Sequence, residues 1–184
     1  MRTDDLSAQG FTKGYFPFSI DDLKVIENLV EQTQEKSISE RKNLFTLHPG
    51  LKIYFTKALL SIIPEATLSE YCFYIEKNQH KNWPLAMHRD LNFPDYIRAH
   101  SDFDRDEWLK NGFWLRLNLD ACTKDGGALK VRPGSHLNEN LLEELTLENE
   151  AGEVILFSPL LYHGSAKMRT GIRRRVIQVF CLNY

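Results

Sequence analysis

The sequence predicts a mainly β domain with helices confined to its N-terminal part, built as a sandwich, barrel or jelly roll rather than a parallel α/β sheet. Three observations carry this reading. From Tyr71 onward, short runs rich in β-branched and aromatic residues are separated by turn signals such as Asp125-Gly126-Gly127 and Pro133-Gly134. Before Tyr71 the apolar residues recur at helical spacing instead. No repeat, low-complexity tract or flexible linker interrupts the 184 residues, so a single domain over 1–184 is expected. About 1–68 would give helical support and about 69–184 the β core.

Taken in order, Ser19 with Asp22 three residues later reads as a capping box in which Asp replaces the usual Glu or Gln. Behind it Leu23, Ile26, Leu29 and Val30 predict a helix that runs to about Lys36. The segment 37–43 is polar and reads as a loop. Pro49 suits a first helical position, and Leu51, Tyr54, Phe55, Ala58, Leu59 and Ile62 form one apolar stripe ended by Pro64. Such a stripe is core and carries no chemistry. Strands are predicted over 71–77, 85–88, 113–119, 128–132, 153–157 and 174–182, with a helical turn in a connection at 141–147. The long irregular stretch is 91–112. It reads equally as a lid or binding loop and as a solvated loop with a helical turn near 105–110.

Composition narrows the function classes. A hydrophobic fraction of 42% with 26% charged residues is that of an ordinary globular domain. A net charge of −2 leaves no electrostatic footprint for nucleic acid. No apolar run approaches the roughly 20 residues of a membrane span, and Met1-Arg2-Thr3-Asp4-Asp5 lacks the apolar core of a secretory signal. Cys72, Cys122 and Cys181 are odd in number and lack metal-type spacing, so a reducing, cytoplasmic setting is expected and none reads as a nucleophile. Nothing in the sequence specifies an oligomeric state.

The chemistry lies in His88-Arg89-Asp90, answered downstream by His163 and then Arg174. Residues two apart on an extended strand share a face, so His88 and Asp90 reach one metal ion together. A histidine from a distant strand completes two imidazoles and one carboxylate, the facial set of non-haem Fe(II) oxygenases, with positions left open. Alone, His88 reads as a surface imidazole, Asp90 as a turn carboxylate and His163 as a satisfied core histidine. Their order and context favour ligation. Arg174, on the strand after His163, offers a two-pronged donor for a carboxylate.

The run Gly127-Ala128-Leu129-Lys130-Val131-Arg132-Pro133-Gly134-Ser135-His136 resembles a G-x-L-x-V-x-P-G-S-H segment of the phytanoyl-CoA dioxygenase family. Gly152-Glu153-Val154-Ile155-Leu156-Phe157-Ser158-Pro159, followed by His163-Gly164-Ser165, is similar to that family's approach to its second histidine. More loosely, Leu6 to Leu29, with Gly10-Phe11, is similar to its N-terminus. The resemblance implies a double-stranded β-helix core and an Fe(II)- and 2-oxoglutarate-dependent oxygenase that consumes O2 and releases succinate and CO2. It implies His88, Asp90 and His163 as iron ligands, and Arg174, eleven positions after His163, as the 2-oxoglutarate arginine. The neighbours Arg173 and Arg175 leave room for a shift of one residue. Ser165 matches a serine that helps hold the same carboxylate, its alternative being a turn hydroxyl. His136 is not a ligand in that family and reads as a turn cap. Arg116 departs from the pattern by standing where the family has an inward aromatic. It reads as an anion-binding residue or as a surface arginine on a strand whose leucines form the core. Phe73, with Tyr71, lines the co-substrate pocket or is core. His48 and His80 read as solvent-facing.

The expected activity is hydroxylation of a C–H bond in a small organic substrate. Asp90 argues against a halogenase, whose members lack that carboxylate. Three rivals were weighed: a non-catalytic β-helix metal-binding module, a cupin-type enzyme using another metal, and a nucleic-acid demethylase, which the charge disfavours. Only 26 residues separate His136 from His163, which favours a small substrate, and Lys167 and Arg169 favour an anionic one.

Overall fold

A computed structural model describes residues 3–15, 18–33, 36–170 and 173–183. The elements run α1 (Thr3–Gln9), β1 (Phe11–Tyr15), α2 (Ile20–Glu31), α3 (Ile38–Arg41), α4 (Leu44–Leu47), α5 (Leu51–Leu60), β2 (Thr67–Lys77), β3 (Leu85–His88), α6 (Asp95–Arg98), α7 (Arg105–Asn111), β4 (Gly112–Asn118), β5 (Leu129–Val131), β6 (Leu145–Leu147), β7 (Glu153–Phe157), β8 (His163–Ser165) and β9 (Arg174–Leu182). The strands form two sheets. One has five strands in the order β1-β7-β4-β9-β2, the other four in the order β3-β8-β5-β6. Every pairing within them is antiparallel, which gives the jelly-roll arrangement of a double-stranded β-helix.

Alternation along the strands explains how the larger sheet is buried on both faces. Phe113, Leu115 and Leu117 of β4, with Ile177, Val179 and Cys181 of β9, pack against the helices in a cluster that includes Ile26, Val30, Phe55 and Leu59. The intervening Trp114, Ile155, Phe157, Phe180 and Leu182 meet Leu129, Val131 and Leu147 of the smaller sheet. The space between the sheets therefore receives Arg116, Gln178 and Arg174 as well, all buried.

The Ser19–Asp22 capping box is formed, with the Asp22 amide donating to Ser19 Oγ and the Ser19 amide to Asp22 Oδ2. α2 ends at Glu31, short of Lys36, because buried Thr33 turns back to donate to the Val30 carbonyl. α5 begins at Leu51 behind Gly50, not at Pro49. The polar stretch 37–43 contains α3, and 141–147 contains β6 rather than a helical turn. Three strands escaped the pattern: β1, β6 and β8, of which the last two have only three residues each. β1 lies in the N-terminal part yet pairs with β7 at the edge of the larger sheet.

The 91–112 stretch is neither irregular nor solvated throughout. It holds α6 and α7, and Asp104 caps α7 by accepting from the Asp106 and Glu107 amides. Phe93, Ile97, Trp108 and Leu109 are buried. The Trp108 ring stacks on Phe180 at 5.7 Å and 7°. Gly112 begins β4 where a Cβ would meet Phe180 at 2.2 Å and the Trp108 carbonyl at 2.3 Å. Trp108→Ala should therefore cost about 3–5 kcal/mol of stability in denaturant titration, the range for emptying a buried tryptophan site. Amide exchange in the ligand-free protein should show α7 protected; exchange of α7 as fast as a free peptide would contradict this packing.

Candidate metal centre

β3 brings His88 to its C-terminal end and β8 begins with His163. The two residues are directly paired in register, and their rings lie 4.4 Å apart. Gly164 permits this closeness, since a Cβ there would meet the Leu85 carbonyl at 2.7 Å. Asp90 follows two residues after His88, fixed by its amide donating to the Pro159 carbonyl at 2.9 Å. One ligand atom from each of His88, Asp90 and His163 lies within 4.8 Å of the others. His88 Nε2 is 3.2 Å from Asp90 Oδ1 and His163 Nε2 is 3.3 Å from Oδ2, so the carboxylate sits between both imidazoles.

Both rings are oriented by the chain itself. His88 Nδ1 lies 2.9 Å from the Ala86 carbonyl and His163 Nδ1 lies 2.9 Å from the Leu161 carbonyl. With Nδ1–H donating to the backbone, each Nε2 lone pair points to the shared point, as a metal-ligating histidine requires. Burial pushes the Asp90 carboxyl up, but the adjacent His163 and His88 imidazoles outweigh it and hold the group well below the usual carboxylate range. Two imidazoles and an ionised carboxylate suit a divalent first-row ion with part of its coordination sphere open.

The Pro-Gly-Ser-His segment supports this centre from behind. Ser135 Oγ accepts from the Tyr162 amide at 2.9 Å, and the Arg132 amide donates to the Tyr162 carbonyl, so the residue before His163 is clamped on both sides. The Arg89 guanidinium donates to the Ser135 carbonyl and lies 4.6 Å over the Tyr162 ring. Ser135 went unnoticed in the sequence, although its place in the motif was the available signal. His136 lies 3.0 Å, through Nε2, from the Ser7 carbonyl. It ties α1 to the turn rather than capping its own segment.

A second pole lies two residues further along β8, where Ser165 faces Leu85 across a register shift. A cavity of about 450 Å³ opens there, lined among others by Phe73, Lys77, Arg116, Leu129, Ser165 and Arg174. Arg174 is buried and donates through Nη1 to the Gly127 carbonyl. Gly127 presents that carbonyl from a φ of +73°, where a Cβ would also meet the Ala166 carbonyl at 2.9 Å. Arg116 donates to Gln178 Oε1 at 3.2 Å. It is buried between the sheets, which overturns the reading as a surface arginine; Leu115 and Leu117 are core, as that reading required, but on the opposite face. Phe73 is half-buried against Trp114 and Tyr71. Neither Arg116 Nε nor Arg174 Nε finds an acceptor, so two buried donors await one.

Lys77 was missed in the sequence. It directly faces Arg174 across β2 and β9, is 2% exposed, and donates to Ser165 Oγ at 2.9 Å and to the Trp83 carbonyl at 2.6 Å. Alternation with Tyr71, Phe73 and Ile75 was the signal that pointed it inward. Burial, then Arg174 and Arg116, bring its pKa down to about 8. Arg173 and Arg175 take no part in this pole. Arg173 pairs with Glu31 and Glu76, and Arg175 with Glu27, Glu31 and Asp120, binding β9 to α2. His80 is exposed as expected, but His48 is half-buried, and burial lowers its pKa. Lys167 and Arg169 are exposed and lie outside the cavity lining.

A family model for phytanoyl-CoA dioxygenase (PhyH) matches residues 17–176. No curated protein matches the sequence significantly. Among solved structures, EvdO2 from Micromonospora carbonacea var. aurantiaca complexed with 2-oxoglutarate is 14% identical with a TM-score of 0.73, over 98% of this chain and 89% of that one. HygX from Streptomyces hygroscopicus with nickel, 2-oxoglutarate and hygromycin B bound is 12% identical with a TM-score of 0.68, over 99% and 87%. EvdMO1 is 16% identical with a TM-score of 0.73; 98% of this chain matches, spanning about half of EvdMO1, 49%. At these identities the likeness establishes the shared fold.

The geometry predicts that the protein binds one divalent first-row ion per chain. His88→Ala or His163→Ala should lower Ni(II) affinity by about tenfold or more in calorimetry. Wild-type stoichiometry and affinity in both variants would move the ion elsewhere.

Proposed function

The chain belongs to the phytanoyl-CoA dioxygenase family, whose members are Fe(II)- and 2-oxoglutarate-dependent oxygenases, and from that premise we propose that it hydroxylates a C–H bond of a small organic substrate. The observation that carries the proposal is the closeness of two poles: a His-Asp-His donor set and, two residues along β8 from His163, a buried pocket whose cations lack a carboxylate partner. In this reading His88, Asp90 and His163 hold Fe(II). Arg174, Ser165 and Lys77 hold the far carboxylate of 2-oxoglutarate, while Arg116 and Phe73 wall the pocket. Three buried free thiols fit a reducing, cytoplasmic setting.

Bound iron and 2-oxoglutarate supply the oxidising chemistry, in which one atom of O2 ends in the substrate hydroxyl and the other in succinate, with loss of CO2. The chain's own residues bind, orient and shield. The two Nδ1 bonds and the Asp90 amide hold the donor set rigid. Arg174 presents a planar fork to a carboxylate, and Ser165 is already oriented by Lys77. Tyr71, whose hydroxyl feels Asp90 and is pushed up to about 12 by burial and that charge, closes the side of the triad toward β2.

Losing a charged partner from a buried pair costs about 3–5 kcal/mol, about a hundredfold or more in affinity. Arg174→Ala should lose 2-oxoglutarate binding on that scale while keeping the metal, and Arg174→Lys should keep a part. Titration of 2-oxoglutarate into the anaerobic Fe(II) protein, followed by its charge-transfer absorption, measures this. A loss in Arg173→Ala or Arg175→Ala with none in Arg174→Ala would transfer the role to a neighbour, and no binding by the wild type would refute the reading.

Lys77 gives the pocket a pH dependence with a definite sign. Its pKa is about 8 in the empty pocket, and an anion beside it raises that value. Its contribution to binding is then complete below about 8 and is lost as pH rises toward the bound-state value. Affinity for 2-oxoglutarate should fall between about pH 8 and 10, and Lys77→Met should flatten that fall. A slope that persists unchanged in Lys77→Met would exclude Lys77 as its source.

A further inference from the structure

Two cavities among the described residues differ in how their charges are compensated. The one of about 550 Å³ has Glu27, Asp120, Arg173 and Arg175 in its lining, all engaged in ion pairs, and shares Arg174 with the other. The one of about 450 Å³, which ends at Arg174, is lined by Arg41, Lys42, Lys77, Lys81, Arg116 and Arg174. None of these six forms an ion pair with a carboxylate among the described residues. The one acid in the lining, Glu76, is held by Arg173, Asn78 and Tyr74. A chain with a net charge of −2 has thus gathered six uncompensated cations in one cavity.

The six divide by depth. Lys77, Arg116 and Arg174 are buried, whereas Arg41 is half-buried and Lys42 and Lys81 are exposed. Arg41 Nε is itself buried without an acceptor. Trp83, 44% exposed, stands beside them in the lining. Burial takes Lys77, Arg116 and Arg174 out of water without supplying a carboxylate, and Arg41 Nε adds a buried donor without an acceptor, so the lining calls for negative charge from a ligand. On the oxygenase reading, 2-oxoglutarate brings one carboxylate to the deep group and commits its other carboxylate to the metal pole. The outer three cations are left over. A substrate carboxylate offers a single charge, while a phosphate ester carries about −1.5 to −2 and three acceptor oxygens. Arg41 supplies planar donors, and Lys42 and Lys81 supply point charges that adapt to a tetrahedral group.

We propose that the substrate is a phosphorylated small molecule whose phosphate is held at the cavity mouth by Arg41, Lys42 and Lys81. The proposal rests on the oxygenase reading and deepens it. Pyrophosphate is the probe, titrated calorimetrically into the full chain loaded with Ni(II) and 2-oxoglutarate. The expected result is saturable binding that leaves 2-oxoglutarate in place. Arg41→Gln with Lys81→Gln should weaken it by about tenfold or more, with Lys42→Gln alone in the same direction and 2-oxoglutarate affinity within about twofold of wild type. Absent pyrophosphate binding, displacement of 2-oxoglutarate by it, or equal binding by the folded double variant would each overturn the proposal. Tighter binding of propane-1,2,3-tricarboxylate than of pyrophosphate would overturn the phosphate in favour of a polycarboxylate. Failure of the Ni(II) protein to take up 2-oxoglutarate in the first titration would instead sink the oxygenase reading.

Discussion

Burial of Lys77, Arg116 and Arg174 between two sheets is the constraint around which the rest of the molecule is arranged. Lys77 and Arg174 face one another directly across β2 and β9, a pairing of like charges that weakens an ordinary sheet. The larger sheet absorbs this because its other face is a dense apolar layer under α2 and α5. The flanking Arg173 and Arg175 are meanwhile drawn outward into ion pairs with α2 and Asp120. Three consecutive arginines are thereby sorted by strand alternation into two environments. Outward, the guanidiniums find carboxylates and are held above their usual range, Arg175 chiefly by Asp120. Inward, Arg174 finds one carbonyl, and burial lowers its pKa.

Much of this was legible beforehand, and the legible parts share a physical reason. Glu153–Phe157 and Arg174–Leu182 fall where their β-branched runs predicted, because each strand is long enough to show its pattern. The His88–Asp90 spacing was readable because a two-residue step preserves a face. What failed was short or dependent on distant partners. β8 has three residues, His163, Gly164 and Ser165, with no propensity of their own; they are a strand because Leu85, His88, Leu129 and Val131 pair with them. The 91–112 stretch looked irregular because its order comes from Trp108 lying on Phe180, a contact about seventy positions apart. Lys77 was overlooked because a terminal lysine on a strand is usually solvated, and only the fold places Ser165 and the Trp83 carbonyl beside its ammonium. The cations invoked for an anionic substrate, Lys167 and Arg169, proved to lie outside the cavity, while Arg41, Lys42 and Lys81 line it from distant parts of the chain.

The geometry of the candidate centre rests on its ligands, and the shell that supports them is equally specific. Ser135 and Arg132 grip the Tyr162 peptide from opposite sides, so His163 inherits its position from a turn nearly thirty residues earlier. Gly134, at a φ of +76°, makes that turn, and its amide donates to the Gln9 carbonyl. The same segment therefore links the N-terminal helix to the strand that carries a ligand.

The bonds from His88 Nδ1 and His163 Nδ1 to carbonyls two residues upstream have a consequence for how the centre is filled. Each imidazole is locked by its own strand, not by an ion, so the donor set exists before any metal arrives. Loading then demands little rearrangement of the chain, and the fold does not lean on the ion for its integrity. On the proposed reading, stripping the ion with a chelator should therefore leave the fold intact.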